Sequence, residues 1–179
     1  MDPAGWLQTI AEVAIAIAGF SAVITAFRRG HAGLDPMMAN RLFSIVTISM
    51  VVAFFTILPS VLSGLGIRVA TAFRVSALLA LAIESLIFFV TIRQLRQIPR
   101  YEEQVSRVGA VLAYAFIGIS VPTAAICASG LFAGREAGLY LLMLTCFLGV
   151  AATRFAGFTA VLLAHRLDEQ EGGGVGKGL

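Results

Sequence analysis

Charged residues are scarce in this 179-residue chain, at 13% against about 25% in an ordinary soluble domain. Apolar residues make up 59% of the chain, and the mean hydropathy is +0.92. Too few charges remain to cover a water-facing surface around several long apolar segments. This scarcity excludes a typical soluble enzyme, a disordered tail and a nucleic-acid-binding module. It predicts an integral membrane protein of the all-α class.

Motifs for catalysis and for metal binding are also absent from the sequence. There is no HExxH, GxGxxG, GxxxxGK[ST] or GxSxG, and the two histidines, His31 and His165, lie at the boundaries of apolar segments. The two cysteines, Cys127 and Cys146, lie inside apolar segments without a CxxC motif, which predicts buried free thiols. We therefore expect a protein that is not an enzyme and holds no metal or cofactor.

Long apolar runs are what the sequence has in abundance. A helix that crosses a membrane needs about 20 mostly apolar residues. We predict five transmembrane helices, over residues 6–27, 42–67, 74–93, 108–133 and 137–164. The alternative is four such helices and an interfacial first helix. The helices form one bundle domain, residues 1–167, followed by a flexible cytoplasmic tail, residues 168–179.

The distribution of basic residues predicts how the bundle is oriented. With five crossings, nine basic residues fall on one side of the membrane, against Arg68, Arg74 and Arg135 on the other. Because basic residues are enriched in cytoplasmic loops, the C-terminus is predicted to be cytoplasmic and the N-terminus outside. The expected partners of the basic side are anionic lipid headgroups, not nucleic acid.

Small residues recur every four positions along the first predicted helix, at Ala14, Ala18, Ala22 and Ala26. Such a stripe lets two helix backbones approach closely in a membrane. We expect it to pack against a second copy of the chain or another membrane protein. The leading hypothesis is a non-enzymatic protein that acts by assembly, as a structural or accessory subunit of a membrane complex.

Three ionisable residues, Glu12, Glu84 and Arg154, fall inside the apolar segments. A charge near the centre of a bilayer costs at least about 2.5–3.5 kcal/mol, so it needs a partner, a proton or water. Counted from Arg93 and Arg166, Glu84 and Arg154 lie at similar depths, roughly 14 and 18 Å below the helix ends. We therefore predict that Glu84 and Arg154 form an ion pair.

Two interpretations of these intramembrane charges remain open. In the first, the pair of Glu84 and Arg154 only fixes how two helices align. In the second, these residues and Glu12, a candidate proton or ion site without an assured partner, serve a homo-oligomeric ion channel or a proton-coupled transporter.

Proline residues interrupt two of the predicted helices, at Pro59 and Pro122. Each removes one backbone N–H and leaves a carbonyl without its helical hydrogen bond. The nearby hydroxyls of Ser60 and Ser63 are the predicted donors at the first proline, and those of Ser120 and Thr123 are the predicted donors at the second.

Three stretches of the chain, AEVAIAIAGFSAVITAFR, RLFSIVTISMVVAFFTILPSVL and AGLYLLMLTCFLGVAATRF, cover residues 11–28, 41–62 and 137–155. Their hydropathy pattern resembles that of small, uncharacterised bacterial multi-span integral membrane proteins. The resemblance implies a bacterial inner-membrane location. It carries over no activity and no catalytic residue.

Overall fold

A computed structural model of the protein describes residues 3–29, 36–97 and 107–172, and these residues form five α-helices and no strand. Side chains are described for residues 5–24, 42–87, 89 and 111–160. The helices are α1 (Pro3–Arg29), α2 (Pro36–Gly64), α3 (Val69–Gln97), α4 (Arg107–Ser129) and α5 (Glu136–Gly172). The predicted all-α class with five helices is confirmed.

Each helix contains a stretch that is long and apolar enough to cross a membrane. These stretches contain 19 to 25 residues, which corresponds to about 28–38 Å of helix against a hydrocarbon core about 30 Å thick. They are Gly5–Ile24, Leu42–Gly64, Val69–Ile87, Val111–Ser129 and Glu136–Ala160. Their lengths suit a multi-pass arrangement of the whole bundle.

Helix α5 is the central helix of the described bundle. It packs against each of the other four helices, while α1, α2, α3 and α4 follow one another around it in chain order. Small residues on α5 allow this close packing. A Cβ atom on Gly149 would lie 2.9 Å from the ring of Phe116 on α4.

Helix α1 belongs to the bundle along most of its length. Its buried residues recur every three or four positions from Leu7 through Ile10, Ala14 and Ala18 to Ser21. This face packs against α2 and α5. This packing within the bundle, together with the length of the stretch Gly5–Ile24, favours the predicted five crossings over the alternative of an interfacial first helix.

The ends of all five helices differ from the predicted ones, and the differences at α3, α4 and α5 have identifiable consequences. Helix α4 stops at Ser129 instead of residue 133, because Gly130 has a positive φ of 68°, which ends a helix at little cost only for glycine. Helix α3 begins at Val69, so Arg74 lies inside it instead of at its boundary.

Helix α5 extends to Gly172, eight residues beyond the predicted end at residue 164. The first five residues of the predicted flexible tail are therefore helical, and residues 173–179 lie outside the described part of the chain. Leu, Arg, Glu and Gln favour a helical backbone even in water. The charged residues after position 164 therefore end the apolar pattern of α5 but not the helix itself.

A hydrogen bond between α5 and α2 compensates for Pro59. The proline lacks an N–H, which leaves the carbonyl of Phe55, four residues earlier, without its helical donor. The hydroxyl of Tyr140, fully buried on α5, donates to this carbonyl at 2.6 Å. The Ser63 hydroxyl, one of the predicted donors, instead donates to the carbonyl of Ser60 at 2.9 Å.

Candidate functional site

An ion pair at one end of the bundle fixes the alignment of α3 with α5. The Arg74 Nη2 atom lies 2.7 Å from Glu136 Oε1, and Glu136 Oε2 accepts a hydrogen bond from the Gly134 N–H at 2.8 Å. Among the side chains that the structure describes, this is the one ion pair. The guanidinium group also lies where a Cβ atom of Gly130 would be, 2.6 Å from its Cζ. Sequence reasoning missed this pair because it placed Arg74 at a helix end.

The Arg74–Glu136 pair provides a common level from which depths in the bundle can be measured. Glu84 lies ten residues beyond Arg74 on α3, which is about 15 Å along the helix axis. Arg154 lies eighteen residues beyond Glu136 on α5, which is about 27 Å. Glu84 is therefore near the middle of the bundle, and Arg154 is near its opposite end.

The structure does not form the predicted ion pair between Glu84 and Arg154, which have separate partners. Their levels differ by about 12 Å along the helix axes, too far for direct contact between helices aligned by the Arg74–Glu136 pair. The prediction measured depth from Arg93 and Arg166 and assumed that these two residues lie at the same level. Helix α5 continues beyond Arg166, so this residue does not mark the helix end and the depth of Arg154 was wrong.

Glu84 is a carboxyl group enclosed in the middle of the bundle. Only 6% of the residue is exposed. Its Oε1 atom accepts a hydrogen bond from the hydroxyl of Ser120 on α4 at 2.5 Å, whereas Oε2 has no hydrogen-bond partner among the described residues. Cys146 on α5 is close enough for an electrostatic interaction with Glu84. This carboxyl group, with one bound and one free oxygen, is the candidate functional site.

Arg154 is held by α2. Its Nη1 atom donates to the Ser44 hydroxyl at 2.6 Å, and Ser44 lies near the start of the apolar part of α2. Arg154 is half-buried: the methylene groups of its side chain lie among apolar residues, and the guanidinium group reaches toward the end of the bundle. Arg154 therefore does not neutralise Glu84.

Glu12 lies on the side of α1 that faces away from the other helices. It is exposed, and its Oε1 atom accepts a hydrogen bond from the side-chain amide of Gln8 at 2.8 Å. Ala16 and Gly19 are exposed on the same side. We call these four residues the outward face of α1.

The predicted stripe of small residues on α1 is divided between two faces. Ala14 and Ala18 are buried inside the chain's own bundle, at 0% and 8% exposure. Ala22 is exposed, and the side chain of Ala26 lies outside the described residues. The first two alanines are therefore used in intrachain packing and are closed to another subunit.

Both cysteines, Cys127 and Cys146, are free and buried, as the sequence predicted. The Cys127 thiol lies 3.5 Å from the backbone carbonyl of Glu136 and donates a weak hydrogen bond to it. In the described part of the chain, no three His, Cys, Asp or Glu side chains come together in a way that would hold a metal ion.

The separation of Glu84 and Arg154 has a measurable consequence. We expect the losses in free energy of unfolding caused by Glu84→Ala and Arg154→Ala to add in the double variant, within about 0.3–0.5 kcal/mol, because distant residues without a shared partner act independently. Unfolding in mixed detergent micelles, followed by circular dichroism, measures all three variants. A double variant that loses much less than the sum would mean that the two residues interact.

Comparison of the chain with protein-family models, with curated proteins and with solved structures finds no match. The resemblance to small bacterial membrane proteins stays a prediction.

Proposed function

We propose that this chain is a multi-pass integral membrane protein that acts without enzymatic activity, by assembling with a second copy of itself through the outward face of α1. Five helices of membrane-spanning length and apolar composition support the membrane location. The observation that carries the assembly is the Gln8–Glu12 hydrogen bond, which lies on the exposed side of α1 inside the stretch Gly5–Ile24.

A carboxyl and an amide group on the outside of a membrane helix are costly against lipid. Hydrocarbon offers neither hydrogen bonds nor solvation, so such groups are stabilised when another protein surface covers them. Ala16 and Gly19 on the same face allow a close approach, and a Cβ atom placed on Gly19 would meet no atom within 4 Å. The outward face of α1 therefore combines space for a neighbouring helix with groups that favour one.

A second copy of the chain suits this face because the face is complementary to itself. The Gln8 amide has two N–H groups, and one of them is used on Glu12. The other can donate to the Glu12 carboxyl of the second copy, since a carboxyl group accepts several hydrogen bonds. The same patch on both copies then forms a two-fold symmetric contact.

We further propose that the protein lies in a bacterial inner membrane, with its N-terminus outside and its C-terminus in the cytoplasm. The excess of basic residues on one side supports this orientation. Those basic residues would contact anionic headgroups at the cytoplasmic surface.

Disulfide cross-linking in native membranes tests the assembly. In a background in which Cys127 and Cys146 are replaced by alanine, we expect oxidation of Gly19→Cys or Ala16→Cys to give a covalent dimer. The control is Leu86→Cys, on an exposed position of α3, a helix that does not contact α1. We expect this variant to stay monomeric under the same oxidation.

The size of the purified protein in mild detergent provides an independent measurement. We expect a dimer by light scattering, and a shift towards monomer in Glu12→Leu. A monomeric wild type together with no cross-linked product at residues 16 and 19 would refute the proposal. A cross-link to a different membrane protein would identify that protein, instead of a second copy of the chain, as the partner of the outward face of α1.

A further inference from the structure

We propose that Glu84 is a proton-binding site in the middle of the membrane, at which the carboxyl group carries an exchangeable proton. The observations are that Glu84 is buried, that Ser120 binds its Oε1 atom and that its Oε2 atom has no partner. This site goes beyond the assembly proposed above and favours the proton-coupled alternative. Neither the site nor its test depends on the dimer.

Among the described side chains, no cation compensates a negative charge at this position. Arg74 and Arg154 lie about 15 and 12 Å away along the helix axes. The described side chains of α2, residues 42–64, include no titratable group, those of α4 place Tyr114 and Cys127 at other levels, and those of α5 bring the thiol of Cys146 within electrostatic range. An isolated carboxylate in an apolar interior is so unfavourable that the group takes up a proton instead. The neutral carboxylic acid is therefore the form of Glu84 that these surroundings favour.

The hydrogen bond between Ser120 and Glu84 suits both protonation states of the carboxyl group. A carboxylic acid and a hydroxyl can each donate or accept a hydrogen bond, so this contact is kept whether or not the proton is bound. Oε2 has no partner among the described residues and is the oxygen that can bind water. When water reaches the carboxyl group, the O–H bond breaks, the electron pair stays on the carboxylate and the proton passes to the water. Ser120 then stabilises the carboxylate through its remaining hydrogen bond, so we assign it as a positioning residue.

The chemistry of the site fits a proton better than a metal cation. Hard cations such as magnesium and calcium take about six to eight oxygen ligands. The described side chains supply one carboxyl group and one hydroxyl, and the hydroxyl directs its hydrogen at the carboxyl. The ligand class is therefore the proton.

Dicyclohexylcarbodiimide tests the proposal because it adds to protonated carboxyl groups in apolar surroundings. We expect mass spectrometry to find the adduct on Glu84 and to find none in Glu84→Gln. The labelled fraction of Glu84 should fall gradually as the pH at which the reagent is added rises. Glu136 is the internal comparison, because a carboxylate paired with Arg74 should resist labelling. An excess of sodium at constant pH should leave the labelling unchanged.

The Ser120→Ala variant separates a positioning role from a merely structural one. Without its hydrogen-bond donor the carboxylate form is less stable, so we expect labelling of Glu84 to persist to higher pH in a bundle of unchanged helix content. An unchanged pH profile would remove Ser120 from the site.

Infrared difference spectroscopy makes the test independent of whether the reagent reaches the site. We expect a carbonyl band of a protonated carboxylic acid in the wild type that is missing in a folded Glu84→Gln. Absence of this band, labelling that does not change with pH, or protection by sodium would each overturn the proposal.

Discussion

Replacement of Tyr140 by phenylalanine should lower the free energy of unfolding of the bundle by about 1–3 kcal/mol. The variant keeps the aromatic ring, which packs edge-on against Phe73 at a centroid distance of 5.4 Å. It removes only the hydroxyl that donates to the Phe55 carbonyl. That carbonyl has no helical donor because of Pro59, so the change leaves a buried acceptor unsatisfied. Unfolding in mixed detergent micelles measures the loss.

A double-mutant cycle with Pro59→Ala identifies the cause of this loss. Alanine at position 59 restores an N–H that can donate to the Phe55 carbonyl. Tyr140→Phe should therefore cost less in this background, by about 0.5 kcal/mol or more. Tyr114→Phe, at an exposed position on α4, is the matched control and should change stability by less than about 0.5 kcal/mol. Equal costs of Tyr140→Phe in both backgrounds would mean that the hydroxyl does not compensate for the proline.

Replacement of Gly130 by alanine should have an effect of similar size at the end of the bundle. Gly130 has a φ of 68°, and the left-handed conformation costs other residues about 1–2 kcal/mol. The new Cβ atom would also lie 2.6 Å from the Cζ of Arg74, so the guanidinium group must shift from the position in which it pairs with Glu136. We expect a loss of stability larger than the backbone strain alone.

Two further variants separate the backbone strain from the displaced ion pair. In an Arg74→Ala background, Gly130→Ala should cost only the left-handed strain, because no guanidinium group remains to be displaced. Gly157→Ala is the control, since this helical glycine on α5 has no atom within 4 Å of the position of a Cβ and no proline four residues later. It should leave stability unchanged or slightly raise it. A Gly130→Ala variant as stable as Gly157→Ala would contradict the proposed role of the glycine.

The register of the helices explains why the sequence predicted the buried charges but not their partners. Glu84 was recognised because an ionisable residue inside a long apolar run is conspicuous in the sequence alone. Its contact with Ser120 depends on how α3 and α4 align, and no pattern along one helix contains that information. If depth along the helices had been measured from Arg74 and Glu136, instead of from Arg93 and Arg166, Glu84 and Arg154 would have been placed at different levels. The signal was present, but its use required knowing that Arg74 and Glu136 meet.

The two faces of α1 illustrate the same limit. The spacing of Ala14 and Ala18 correctly marked a close-packing face, because small residues four positions apart share one side of a helix. Whether that face meets the chain's own helices or another subunit depends on where α2 and α5 lie. The structure places both alanines inside the bundle and leaves Glu12 on the opposite side.

Local hydropathy and the length of each apolar run were enough to predict the fold class, the number of helices and the burial of both cysteines. Which polar groups meet depends on how the helices pack: Arg74 meets Glu136, Glu84 meets Ser120, Arg154 meets Ser44, and Tyr140 meets the Phe55 carbonyl. The physical reason is that sliding one helix past another by a single turn shifts side chains by about 5.4 Å, more than a hydrogen bond tolerates, and leaves the hydropathy of each helix unchanged.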